Sequence, residues 1–151
     1  MRSVWLWIAV AAPLALAAAL SVGIASGQEP PPPDVTVPAV QSVSADPSVL
    51  WPPNHKMRTV TVSAVVTDDT DPAPTWAITG VTSNEPEAGP GADKSPDCVI
   101  TGPNTVQLRA ERLGNGSGRI YTITITASDA SGNTATATVE VTVPHDKGKK
   151  K

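Results

Sequence analysis

Four aspartates stand at two points where an antiparallel β protein would turn. Asp68, Asp69 and Asp71 lie in Asp68-Asp69-Thr70-Asp71-Pro72, and Asp129 opens Asp129-Ala130-Ser131-Gly132-Asn133. Carboxylates crowded together repel one another, and a hard divalent cation relieves the repulsion by taking about six to eight oxygen ligands. If both turns share one end of a sandwich, the four acids make a calcium site, helped by Asn133 or by backbone carbonyls. The competing assignment is local. Asp in such turns accepts backbone N–H bonds and caps the turn it stands in. No ordered ligand spacing of the EF-hand kind chooses between the two.

Other reactive types are sparse. His55 and His145 are the only histidines. A general base or metal ligand at His55 needs a Cys, Asp or second His beside it, and a lone His in a proline-fixed turn reads as structural. Serine never stands in a Gly-x-Ser-x-Gly nucleophile turn. Carboxylates for glycoside hydrolysis need a cleft between them, and aromatic residues make up only 3% of the chain, leaving little surface to stack a sugar. Cys98 is the single cysteine, so no intramolecular disulfide forms. It reads as a small hydrophobe in a strand, or as a thiol available between molecules. Trp51, before Pro52 and Pro53, is either a recognition anchor or a plug for one end of the core. The loop from Asn84 through Glu85, Glu87 and Asp93 to Pro96 is long enough to be functional, with no residue in it that names a ligand. Asn115-Gly116-Ser117 fits the N-glycosylation pattern. No catalytic residues are assigned, and the chain is read as a non-enzyme.

The elements that must position these residues are strands. β-branched residues alternate with period two between Gly, Pro, Asn and Asp clusters. Strands are expected at 35–45, 57–67, 75–83, 97–101, 105–111, 119–128 and 134–143. Pro38 puts the first on an edge or makes it switch sheets. Gly80 suggests a bulge in the third, and Gly114-Asn115-Gly116-Ser117-Gly118 reads as a hairpin turn. In the last two strands Tyr121, Ile123, Ile125, Val139, Val141 and Val143 share the inward side, with threonines outward. One apolar and one wet face is the requirement of a sheet in a sandwich. The fold class is therefore all-β, an immunoglobulin-like antiparallel β-sandwich of about seven strands.

The ends have their own character. Arg2 followed by the apolar run Val4 to Leu20, with Ala25 and Gly27 before Gln28, reads as a signal peptide over 1–27. An uncleaved anchor is the alternative, and either places the domain outside the cytoplasm. Residues 28–34, with four consecutive prolines at 30–33, form a stiff polyproline linker. The sandwich then occupies 35–144, and a lysine-rich tail 145–151. Net charge is −3, and the body lacks the clustered basic face that nucleic acid requires.

Three stretches together carry a resemblance: Trp51-Pro52-Pro53-Asn54-His55-Lys56-Met57, Thr67-Asp68 through Asp71-Pro72, and Tyr121-Thr122-Ile123-Thr124 running into Asp129-Ala130-Ser131-Gly132-Asn133-Thr134-Ala135. Over about residues 46–146 the chain resembles bacterial immunoglobulin-like modules of the hyalin-repeat (HYR) kind. Hyalin repeats often carry two cysteines where this chain has Thr70 and Ala137, which sets it with the bacterial variant. The resemblance implies a secreted or cell-surface module for adhesion or spacing, binding a surface protein, a glycan or neighbouring modules. A small secreted hydrolase or carbohydrate-binding accessory domain is the alternative.

Overall fold

The computed structural model of the chain describes residues 30–87 and 96–146. The expected signal segment 1–27 lies outside the described residues, as do most of the 85–96 loop and the lysine-rich end. The chain divides into compact units Met1–Pro32 and Pro33–Lys151, and every strand belongs to the second. The strands are β1 Ala39–Asp46, β2 Met57–Thr67, β3 Thr75–Ser83, β4 Cys98–Ile100, β5 Thr105–Arg109, β6 Gly118–Ser128 and β7 Thr134–Pro144.

Two antiparallel sheets, β1-β2-β5-β4 and β3-β6-β7, pack through the faces that the alternation predicts. Val60 and Val62 of β2, Val106 and Leu108 of β5, Ile123 and Ile125 of β6, and Val141 and Val143 of β7 are all buried. The threonines between them point outward. Four strands against three, in this order, is the arrangement of a constant-type immunoglobulin domain. β1 forms an edge of the first sheet and begins just after Pro38. In β3 the register slips between Ile78 and Gly80, so the bulge falls on Thr79, beside the glycine that suggested it.

Two expectations change. Residues 114–118 do not close a hairpin, because β5 and β6 lie in different sheets. β5 is already paired on both sides, with β2 and β4, so the chain must cross to the other layer. Gly118 allows the crossing: its φ is +112°, and a Cβ there would meet the Val143 carbonyl at 2.8 Å. Trp51 does not plug the core. Residues 48–50 run beside the end of β7, with Leu50 N–H donating to Thr142 O at 2.8 Å and Thr142 N–H to Ser48 O at 3.0 Å. Neighbouring residues on an extended segment point to opposite sides. Leu50 therefore goes inward, at 2% exposure, and Trp51 remains 39% exposed.

At the end of the core near Tyr121 lies a buried ionic cluster with no counterpart in the sequence reading. Arg119 is 1% exposed. It forms a close ion pair with the buried Asp97, and its Nε donates to Glu85 Oε2 at 3.3 Å. Arg109 reaches the same Asp97 at 3.2 Å and donates to the carbonyls of His55 and Pro96, each at 2.9 Å. The Tyr121 hydroxyl accepts from Arg119 at 3.2 Å and donates to the Arg109 carbonyl at 2.8 Å. That last bond ties β6 back to the end of β5, as the tyrosine corner of immunoglobulin-like folds does. Burial disfavours the charged form of Arg119, but the bond to Asp97 outweighs it and raises the pKa above the ordinary value. Burial pushes the Tyr121 phenol up to about 12, against the pull of Arg119.

Removing one partner of a buried pair strands the other charge. Arg119→Met should therefore cost about 3–5 kcal/mol. Tyr121→Phe, which removes one of the two donors to the Arg109 carbonyl and leaves the Glu111 N–H in place, should cost about 0.5–1.5 kcal/mol. Urea denaturation of both variants measures the difference, and equal small losses would show the cluster to be energetically idle.

Candidate cation site at the loop end

β2 ends at Thr67, β6 ends at Ser128 and β7 begins at Thr134. In this topology those termini, and the chain entering β1, meet at one pole of the sandwich. Each aspartate there has a defined local task. Asp68 Oδ1 accepts the N–H groups of Thr70 and Asp71 at 3.0 and 2.9 Å, closing its own turn. Asp71 Oδ1 accepts from Ala73 N–H, and its Oδ2 accepts from Ala130 N–H, both at 2.9 Å. The second of these bonds joins the β2–β3 loop to the β6–β7 loop. Asp129 accepts the Asn133 N–H on Oδ1 and the Asn133 side-chain amide on Oδ2, both at 2.8 Å.

Of the four aspartates singled out by sequence, the structure brings Asp68 and Asp129 into one group of carboxylates. The third member is Asp34, just after the prolines. One ligand atom from each of Asp34, Asp68 and Asp129 lies within 4.8 Å of the others. Asp69 and Asp71 are not members. Asp71 is engaged by the two backbone bonds above, and Asp69 receives the hydroxyls of Thr70 and Thr36 at 3.4 and 3.5 Å. Sequence reasoning missed Asp34 because it was read as part of a linker, far from Asp68 along the chain. The available signal was topological: β1 pairs antiparallel with β2, so the residue entering β1 must lie near the residue leaving β2.

Asp34 is held by its neighbours. Its Oδ1 accepts from Thr36 N–H at 3.0 Å, and its carbonyl accepts from the Asn133 amide at 3.3 Å. The remaining oxygens, Asp34 Oδ2 and Asp68 Oδ2, are buried and receive no hydrogen bond. Buried carboxylate oxygens without a donor are costly, and a cation is the partner that such a set of hard oxygen donors fits. Burial works against the charged form of Asp129. The bonds from Asn133, with those from the Ser131 and Gly132 backbone, outweigh it and hold its pKa below the ordinary carboxylate range.

The remaining candidates have structural partners. His55 has φ +61°, and its Nδ1 lies 3.0 Å from Glu111 Oε2, pinning the turn to the segment after β5. Cys98 is half-buried, with Sγ 3.8 Å from Glu87 Oε1. Burial, then the charge of Glu87, raises its thiol pKa, which makes it a poor nucleophile.

Compared with known proteins, the chain matches no family model, no curated protein and no solved structure.

The lowered pKa of Asp129 sets a sign for acid stability. A carboxylate whose pKa is lower folded than unfolded contributes stability above the unfolded value of about 4. That contribution disappears as pH falls through the folded pKa. In calcium-free buffer, wild type should therefore lose more melting temperature between pH 5 and pH 2 (a range of roughly three units) than Asp129→Asn does. Parallel melting curves would show the opposite, that Asp129 does not couple folding to pH.

Proposed function

We propose that the chain is a non-catalytic extracellular module of the immunoglobulin-like, HYR-like kind, used for adhesion or spacing and stiffened by calcium. The carrying observation is the convergence of Asp34, Asp68 and Asp129 with two buried oxygens left without donors. These residues come from the chain entering β1, the β2–β3 loop and the β6–β7 loop. Asp34, Asp68 and Asp129 would hold the ion. When bound, the ion supplies charge neutralisation and crosslinking rather than chemistry on a substrate. The protein's own groups do the rest: Asn133 orients Asp129 and grips the Asp34 carbonyl, and Asp71 holds the two loops together.

Such an arrangement suits a mechanical part. Without an ion, three carboxylates repel and the entering chain is held at this pole only by weak polar bonds. With one, residue 34 is bound to both loops, and the domain gains a fixed point of entry. The apolar run before Gln28 supports export, into a compartment where calcium is abundant enough for weak sites of about 10⁻⁴–10⁻³ M.

Calcium titration followed by thermal melting tests this reading. A ligand that binds only the folded form stabilises by mass action, about 0.4–1.4 kcal/mol when its concentration is one to ten times Kd. Millimolar calcium should raise the wild-type melting temperature, and Asp34→Asn and Asp68→Asn should each remove most of that rise. Asp69→Asn should keep it. An unchanged wild-type melting temperature would defeat the calcium reading.

A further inference from the structure

β7 ends at Pro144, and the next residue, His145, lies against the crossing between β5 and β6. Its ring stands between two oxygens. Nε2 is 3.0 Å from the Gly114 carbonyl oxygen, and Nδ1 is 2.8 Å from Asp146 Oδ2. A carbonyl and a carboxylate can only accept, so both contacts are hydrogen bonds only when both ring nitrogens carry protons. A neutral imidazole has a single N–H. With that proton on Nε2, the Nδ1 lone pair faces the carboxylate; with it on Nδ1, the Nε2 lone pair faces the carbonyl. One contact turns repulsive in either tautomer. A bond to an ionised group is the stronger of the two, and Asp146 is the neighbouring residue, so the contact given up is the one to Gly114.

The crossing has few other ties at this point. Gly116 N–H donates to the Leu113 carbonyl at 3.2 Å, a bond internal to the loop. Among the described residues, the His145 ring makes the one hydrogen bond from residues 114–117 to another part of the chain. The flanks are held whatever the charge of the ring. On one side Leu113 N–H donates to Glu85 Oε2 at 2.8 Å, and Arg112 Nη2 donates to the His145 carbonyl at 3.0 Å. On the other the Gly118 carbonyl accepts from the Asn84 amide at 3.2 Å. Gly114, Asn115 and Ser117 are exposed, and Gly114 with Gly116 gives the backbone its freedom once the tie is gone.

We propose that His145 is a proton-operated clasp: the imidazolium pins residues 114–117 to the C-terminal end of β7, and the neutral ring releases them. Among the described residues, the charged groups that bear on the ring are Asp146 beside it and the Arg112 guanidinium on the crossing. The bond to Asp146, then that to Gly114 and the charge of Asp146, outweigh Arg112 and hold the His145 pKa above the ordinary histidine value. A group whose pKa is higher folded than unfolded contributes stability that is full below the unfolded value of about 6.5. That contribution is lost as pH rises through the folded pKa. The loop is therefore fixed in mildly acidic surroundings and freed in alkaline ones. The clasp adjoins the Arg119 cluster through Leu113 and Glu85. It uses no residue of the cation site and does not depend on the calcium reading.

Nuclear magnetic resonance on the full chain tests this. Across roughly pH 5 to 9, which brackets histidine titration, the ring signals of His145 give its midpoint and Cα relaxation gives the order of the loop. Order parameters of residues 114–117 should drop from about 0.85 in acid toward about 0.6 in base, with the midpoint of the drop at that of the ring. Asp146→Asn should carry both midpoints to lower pH together. His145→Ala should leave the loop mobile at every pH with the signals of β6 and β7 in place, and His55→Gln should leave the transition where it is. A loop equally ordered in acid and base, a His145 midpoint at or below the ordinary histidine value, midpoints that separate in Asp146→Asn, or a transition that survives in His145→Ala would each overturn the proposal.

Discussion

A guanidinium at 1% exposure is tolerable only if negative charge and hydrogen-bond acceptors meet it inside the protein. The pole of the sandwich around Arg119 is built to supply them. Asp97 comes from the start of β4, Glu85 and the Pro86 carbonyl from the segment after β3, and the Tyr121 hydroxyl from β6 itself. Arg109 of β5 shares Asp97 and extends the cluster to the turn at His55. Segments from both sheets are thus joined by one charge requirement. With a single cysteine and no phenylalanine in the chain, this cluster performs the fastening that a disulfide or a large ring would perform elsewhere.

The opposite pole is organised differently. There the acidic side chains first satisfy the backbone of their own turns, and only then point oxygens at one another. Capping and cation binding were competing readings of the aspartates, yet the geometry lets one residue serve both. Asp68 spends Oδ1 on its turn and leaves Oδ2 without a donor. One pole is therefore charge-balanced within the protein, while the other carries an excess of negative charge. Between them the aliphatic layers form a stiff body.

What was legible beforehand depended on how local the cause was. Strand identity and facing are set by period-two alternation, so β2, β3, β6 and β7 follow from residues within each strand. The Thr79 bulge also has a local cause, the glycine beside it. The crossing at 114–118 was misread as a hairpin because glycine-rich turns look alike whether or not the flanking strands share a sheet. Trp51 was misjudged for a related reason: the direction of a side chain near a proline turn depends on which strand the segment lies beside.

The sequence by itself determined that this is an all-β sandwich with one apolar and one threonine face per sheet, since side-chain alternation is a property of the single strand. It also determined that acids cluster in two turns. Only the tertiary structure decided that Asp34 joins Asp68 and Asp129 while Asp69 and Asp71 do not, and that Arg119 is buried among carboxylates. These are facts of which segments meet. They arise from pairing between residues tens of positions apart, where the partner, rather than the residue's own neighbours along the chain, sets the environment.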